Sequence, residues 1–155
     1  MHLLRRLRHP RPTAGDGQAL VEFAIVLVPF LILLIGIIDL GRAIYLSNGT
    51  SQAAREIART TSVHPWGPGG ELGTSSETQA TIDVQRRLIP GLQITPATDI
   101  TCVDPTDTVV PDDRCKSWSG YYIRVRVRAP FTPATPLLAP FGSHTFESYS
   151  RVQIP

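Results

Sequence analysis

Sixteen consecutive uncharged residues, Phe23 to Ile38, lie near the amino end, and widening the window to Ala19–Leu40 admits only Glu22 and Asp39. That is the roughly 20-residue length a helix needs to cross the hydrocarbon of a bilayer. Such a run is too long for the apolar core of an ordinary secretion signal, and no small-residue cleavage site of the Ala-x-Ala kind follows it promptly. Whatever else the chain does, this segment is expected to sit in a membrane.

Charge sets its direction. Through residue 46 there are five arginines (5, 6, 8, 11 and 42) against Asp16, Glu22 and Asp39, while the rest of the chain holds ten charges of each sign. Four of the arginines precede the apolar run and little positive charge closely follows it. The positive-inside rule therefore predicts a single pass with the amino terminus in the cytoplasm and the bulk of the chain outside. The balanced, Lys-poor remainder offers no basic stripe to track phosphates, so no nucleic-acid partner is expected. With 155 residues and 18% charged side chains, there is room for one modest domain beside the membrane segment.

The order of segments suggests three parts. Residues 1–17 read as a basic leader broken by Pro10, Pro12, Gly15 and Gly17, and are not expected to fold. Residues 18–62 read as one long helix. Past the membrane run, Ala43, Ile44, Ala53, Ala54, Ile57 and Ala58 recur at helical spacing among Arg55, Glu56 and Arg59, with Asn48-Gly49 as a candidate interruption. Pro29 and Gly36 mark a place where the helix can bend.

Residues 63–155 read as an exterior head. His64 to Gly70 is rich in Pro and Gly; Ser76-x-x-Gln79 has capping-box spacing; and Ala80, Val84 and Leu88 give a short helix its apolar face before Pro90-Gly91. The period then changes to two, with Ile123, Val125 and Val127 alternating with Arg124, Arg126 and Arg128, and less regular strand-like runs at 92–95, 98–103 and 145–154. The expected fold is α+β, pilin-like: a long amino-terminal membrane helix continuing into a small head with a short helix and an antiparallel sheet.

The two cysteines, Cys102 and Cys115, fall in the exterior part, which suits a single disulfide in an oxidising compartment. The four Asp between them lack the order of a calcium loop, so no metal is expected. His64 and His144 are the only histidines after the leader. With no H-E-x-x-H, no G-x-S-x-G and no phosphate loop, neither catalytic residues nor a cofactor are expected.

The most telling stretch is Gly17-Gln18-Ala19-Leu20-Val21-Glu22-Phe23: a small residue closing a basic leader, then a carboxylate inside the apolar run followed by an aromatic. Here the chain resembles the TadE-like minor pilins of the tight-adherence (Flp/Tad) type IVb pilus system, and the resemblance continues through Asp39-Leu40-Gly41-Arg42 and Ala53-Ala54-Arg55, covering roughly the first two-fifths of the chain. It implies that a membrane prepilin peptidase cuts between Gly17 and Gln18. It also implies that Glu22, followed by Phe23, registers the subunit against the freed amino terminus of a neighbour. The partners implied are that peptidase, other pilin-like subunits, an assembly platform and the lipid bilayer.

Physical chemistry points the same way. A carboxylate in a membrane helix costs a few kcal/mol on insertion scales and usually has a partner or a role. Positions 25 and 26, one turn on from Glu22, are Ile and Val, so its partner is expected from outside the helix. Cyclisation of a freed Gln18 would remove the amine this pairing uses. Asp39 and Arg42, spaced i, i+3 at the outer edge of the run, form either a local pair or contacts to adjacent subunits. Arg124, Arg126 and Arg128 are either a solvated strand face or a docking surface. The competing function is an uncleaved, signal-anchored envelope protein whose exterior head binds a ligand or wall polymer.

Overall fold

The computed structural model describes residues 14–117, 120–135 and 142–154. Residues 1–13 of the leader, which include its four arginines, lie outside the described residues. Helix α1, Ala14–Val63, is 50 residues long with Pro29 inside it, and at about 1.5 Å per residue it extends roughly 75 Å. It begins ahead of Gly17, so the end of the leader, expected to be unfolded, is already helical.

The two halves of α1 meet different surroundings. From Leu20 to Leu40 the large apolar side chains are exposed, and the helix is long and apolar enough to cross a membrane. From Leu46 onward one stripe goes under: Leu46, Thr50, Ala53, Ala54, Ile57, Ala58 and Thr61 are buried at three- and four-residue intervals. Three alanines in that stripe let the sheet approach the helix closely.

Asn48-Gly49 does not interrupt the helix. A Cβ on Gly49 would stand 3.2 Å from the Ile89 side chain. The glycine therefore serves close packing, and that contact offsets its poor helix propensity of about 1 kcal/mol.

The sheet that covers this stripe has order β1-β2-β3 and is antiparallel throughout. Strand β1 is Ile100–Val103, β2 is Tyr122–Phe131 and β3 is His144–Gln153. β1 pairs Cys102 with Ile123, and β2 pairs residue for residue with β3, from Tyr122 opposite Gln153 to Phe131 opposite His144. Ile123, Val125, Val127 and Ala129 are fully buried while Arg124, Arg126 and Arg128 alternate on the outer face, which is the period-two pattern made physical. Ser148 of β3 meets Ser51 of α1 at 3.3 Å, placing α1 across the inner face of the sheet.

Two strand-like runs resolve differently from expectation. Residues 92–95 contribute only an isolated bridge, Gln93 to Arg128, and Pro96–Asp99 is a single helical turn, α3, leading into β1. Pro96 at the start of that turn fixes a helical φ and donates no hydrogen bond, so the run cannot continue as a strand.

Helix α2, Ser76–Leu88, is present, but its cap and its face differ from those read in the sequence. The N-cap is Ser75, whose side chain accepts from the Thr78 N–H at 3.2 Å and whose hydroxyl donates to the His64 carbonyl at 2.6 Å. That second bond sets the rotation of the helix. Thr78 and Ile82 turn inward and are fully buried, while Val84 and Leu88 are more than half exposed and Ala80 is exposed. Threonine hydroxyls supply part of the contact with α1, Thr78 with Thr61 and Thr81 with Thr60.

Helix α4, Asp112–Ser117, is tied to β1 by a disulfide between Cys102 and Cys115, with Cα atoms 6.1 Å apart. In the loop it closes, the Asp104 carboxylate accepts from the Thr106 N–H and hydroxyl and from the Thr108 N–H, which occupies it within its own turn. Among the described residues no group of His, Cys, Asp and Glu is placed to hold a metal ion.

Candidate assembly surface

The amino-terminal half of α1 presents side chains to its surroundings on every side. Gln18, Glu22 and Phe23 lie there in the open, Phe23 at 62% exposure. The Gln18 side-chain amide donates to Glu22 at 3.2 Å, from one turn earlier on the same helix. Positions 25 and 26 offer Glu22 no polar group, and its contact comes from i−4. It is a neutral amide, and among the described residues no basic group pairs with Glu22.

Asp39 is buried to 1% exposure although it closes an otherwise exposed apolar run. Arg42 donates to it at 3.0 Å. Its other partners come from the segment after β2: the Ala134 N–H at 2.9 Å, the Thr135 N–H at 2.7 Å and the Thr135 hydroxyl. The guanidinium of Arg42 also lies 5.7 Å from the centre of the Phe131 ring, at the end of β2. Asp39 and Arg42 thus clasp the far end of the β2 strand to the helix at the level where the apolar run stops. Charge-assisted bonds of this kind are about twice as strong as neutral ones. Asp39→Ala is expected to speed amide exchange at Ala134 and Thr135 roughly tenfold or more while leaving the β2 core amides slow, read by residue-resolved hydrogen exchange.

The outer face of the sheet is held by its own ion pairs. Asp99, at the end of α3, is fully buried; it pairs with Arg126 at 2.8 Å and Arg128 at 3.1 Å and accepts the Thr95 N–H at 2.8 Å. Burial by itself pushes its carboxyl upward, but the Thr95 N–H and the two guanidinium groups outweigh it and hold the carboxyl below the usual range. Arg124 pairs with Asp107 at 3.2 Å, and Arg126 also reaches Glu147 at 3.5 Å. All three arginines of β2 are therefore engaged within the head.

Sequence reasoning missed the Asp39 clasp and the Asp99 pairs for one reason. Their partners are 95 and 27 residues away, and no local spacing links them. The only local hint was an acid in an apolar run.

A model of the TadE-like protein family matches residues 17–59, from the small residue at the head of the apolar run to the helical turn that bears Ile57 and Ala58. Among curated proteins and among solved structures nothing matches the chain. The match takes in Glu22, Phe23, Asp39 and Arg42. It associates this part of the chain with a structural, pilus-associated class of proteins whose work is not catalysis.

Proposed function

We propose, starting from the TadE-like segment at residues 17–59, that this chain is a minor pilin-like subunit of a tight-adherence pilus, cut after Gly17 by a prepilin peptidase and assembled through its membrane helix. The observation that carries the reading is the division of α1: an exposed apolar half with one exposed carboxylate, joined without a break to a half buried under the head. A helix meant only to anchor the head needs no acid in its lipid-facing part. One that must find a fixed place among other helices does, because burying a carboxylate against an amine is favourable only in matched geometry.

In this reading the amino terminus lies in the cytoplasm before processing and the head lies outside. Cleavage leaves Gln18 as the first residue, with its own side chain already beside Glu22. The freed α-amino group of a neighbouring subunit then supplies the positive charge that Glu22 does not meet among the described residues.

Amino-terminal analysis or intact mass of the membrane-extracted chain tests the processing step. A start at Gln18 supports it, whereas a start at Met1 marks the signal-anchored reading instead. Glu22→Ala is expected to be processed normally yet to fall about tenfold or more in the assembled fraction, scored by blotting sheared surface filaments against whole membranes. Undiminished assembly of that variant removes the registry role.

A further inference from the structure

Strand β3 is an edge of the sheet along its whole length of ten residues, and among the described residues no strand lies beyond it. The opposite edge, β1, is only four residues long and is flanked by α3 and α4. The direction of each β3 backbone group follows from the ladder. Ile154 donates to the Tyr121 carbonyl, which makes Tyr121–Ile154 a hydrogen-bonded pair, and such pairs recur at every second residue of an antiparallel ladder. Phe146, Ser148, Ser150 and Val152 therefore spend their N–H and C=O groups on β2. On the other side, the mutual bonds of Arg128 with Gln93 show that the alternate residues of β2 face β1, as this phase requires.

Thr145, Glu147, Tyr149, Arg151 and Gln153 consequently direct their backbone groups outward, and all five are exposed. Natural edges are ordinarily blocked by proline, bulges or charges that reach across them. β3 contains no proline and pairs with β2 without a bulge. Its two charged side chains lean inward over the sheet: Glu147 toward Arg126 at 3.5 Å, and Arg151 over the Tyr122 ring at 3.8 Å while bonding the Asp104 carbonyl. The edge is thus left open by the residues best able to close it.

We propose that β3 receives an extended, antiparallel strand from a different pilin-like subunit, which continues the sheet outward. The strand it fits alternates, with apolar residues beside the half-buried Phe146 and Val152 and a flat or β-branched residue beside Tyr149. A second copy of this chain does not meet the requirement. Antiparallel pairing of two β3 strands needs a two-fold axis normal to the sheet, and because α1 lies across the sheet's face, that axis reverses α1. Two copies inserted in one membrane in the same direction cannot be so related.

The identity of the partner rests on the pilus reading; the open edge does not, and the two are tested separately. A free decapeptide copying His144–Gln153 has no helix to orient it, and centred on Tyr149 it sets its own Arg151 and Glu147 opposite Glu147 and Arg151 of the chain. Added at millimolar concentration to the full chain in detergent, it is expected to slow exchange of the Glu147, Tyr149 and Arg151 amides at least roughly tenfold, with no change at Ser148 or Ser150. Tyr149→Pro removes an outward N–H and spares the β2 ladder, so that variant should keep the slow core amides of Val125 and Val127 and lose the response to peptide. No slowing in the unmodified chain, or the same response in Tyr149→Pro, overturns the edge site.

In membranes from piliated cells, protection of those three amides that is absent when this chain is expressed alone supports a different subunit as the donor. Protection that appears with this chain alone, or an assembled chain whose edge amides still exchange freely, overturns that assignment.

Discussion

Asp99→Ala is expected to lower the unfolding free energy of the head by about 2–3 kcal/mol, the low side of the range for breaking a buried ion pair because its arginine partners stay about one-third exposed. The substitution removes the acceptor shared by Arg126, Arg128 and the Thr95 N–H, and these three groups bring α3 against β2. Asp99→Asn keeps the size and one acceptor and should lose less. Chemical unfolding of the detergent-solubilised chain followed by circular dichroism reads both.

The same carboxylate sets a pH dependence. Its folded value is depressed, so its contribution is fully present above the unfolded value of about 3.9 and is lost as pH falls through the lower folded value. The unmodified head should therefore lose stability on acidification below about pH 4, and Asp99→Ala should flatten that slope. An unchanged slope would show that other carboxylates set the acid limit.

What could be read in the chain beforehand depended on whether the cause was local. The apolar run before Asp39 forces a helix in any apolar surrounding, and the alternation from Ile123 to Arg128 allows one face of a strand to be buried and the other to be wet. Both are properties of consecutive residues. Helix α2 shows the limit of such reading. Ala80, Val84 and Leu88 form the more apolar stripe, but the helix is rotated by the Ser75 bond to His64, and it buries Thr78 and Ile82 instead.

Between α1 and α2 the hydroxyls of Thr78 and Thr61, and of Thr81 and Thr60, bond across the contact, and no local spacing marks a threonine for that place. Gly49 is a similar case: its poor propensity was visible, but the Ile89 side chain that needs the space belongs to another element. The Asp39 clasp was illegible for a stronger reason. Nothing near Thr132-Pro133-Ala134-Thr135 indicates that its amides will return to a helix 95 residues earlier.

Gly17→Leu is expected to abolish the proposed processing, leaving the precursor in the membrane with its arginine-rich start attached. The fold gives no reason for glycine at this position. Among the described residues a Cβ there meets nothing within 4 Å, and its φ is not in the left-handed region. In the middle of a helix glycine costs about 1 kcal/mol relative to alanine, so on folding grounds leucine should strengthen α1.

The proposed processing would account for a glycine that weakens the helix at this position. Peptidases act on extended backbone, and Gly17-Gln18 lies inside α1, so the helix must open locally before the bond is reached. On the proposed processing, glycine makes that opening easier and suits a cleavage pocket that would exclude larger side chains. Leucine opposes both steps while leaving untouched the head, whose described contacts with α1 lie from Asp39 onward. Gly17→Ala separates the two effects, because it adds little bulk but raises the helix propensity at least as much as leucine does, and it should be cut more slowly than the unmodified chain and faster than Gly17→Leu. Pulse-labelling and gel mobility of the three chains give the order directly. Equal rates in all three would mean that Gly17 is not the residue a peptidase reads.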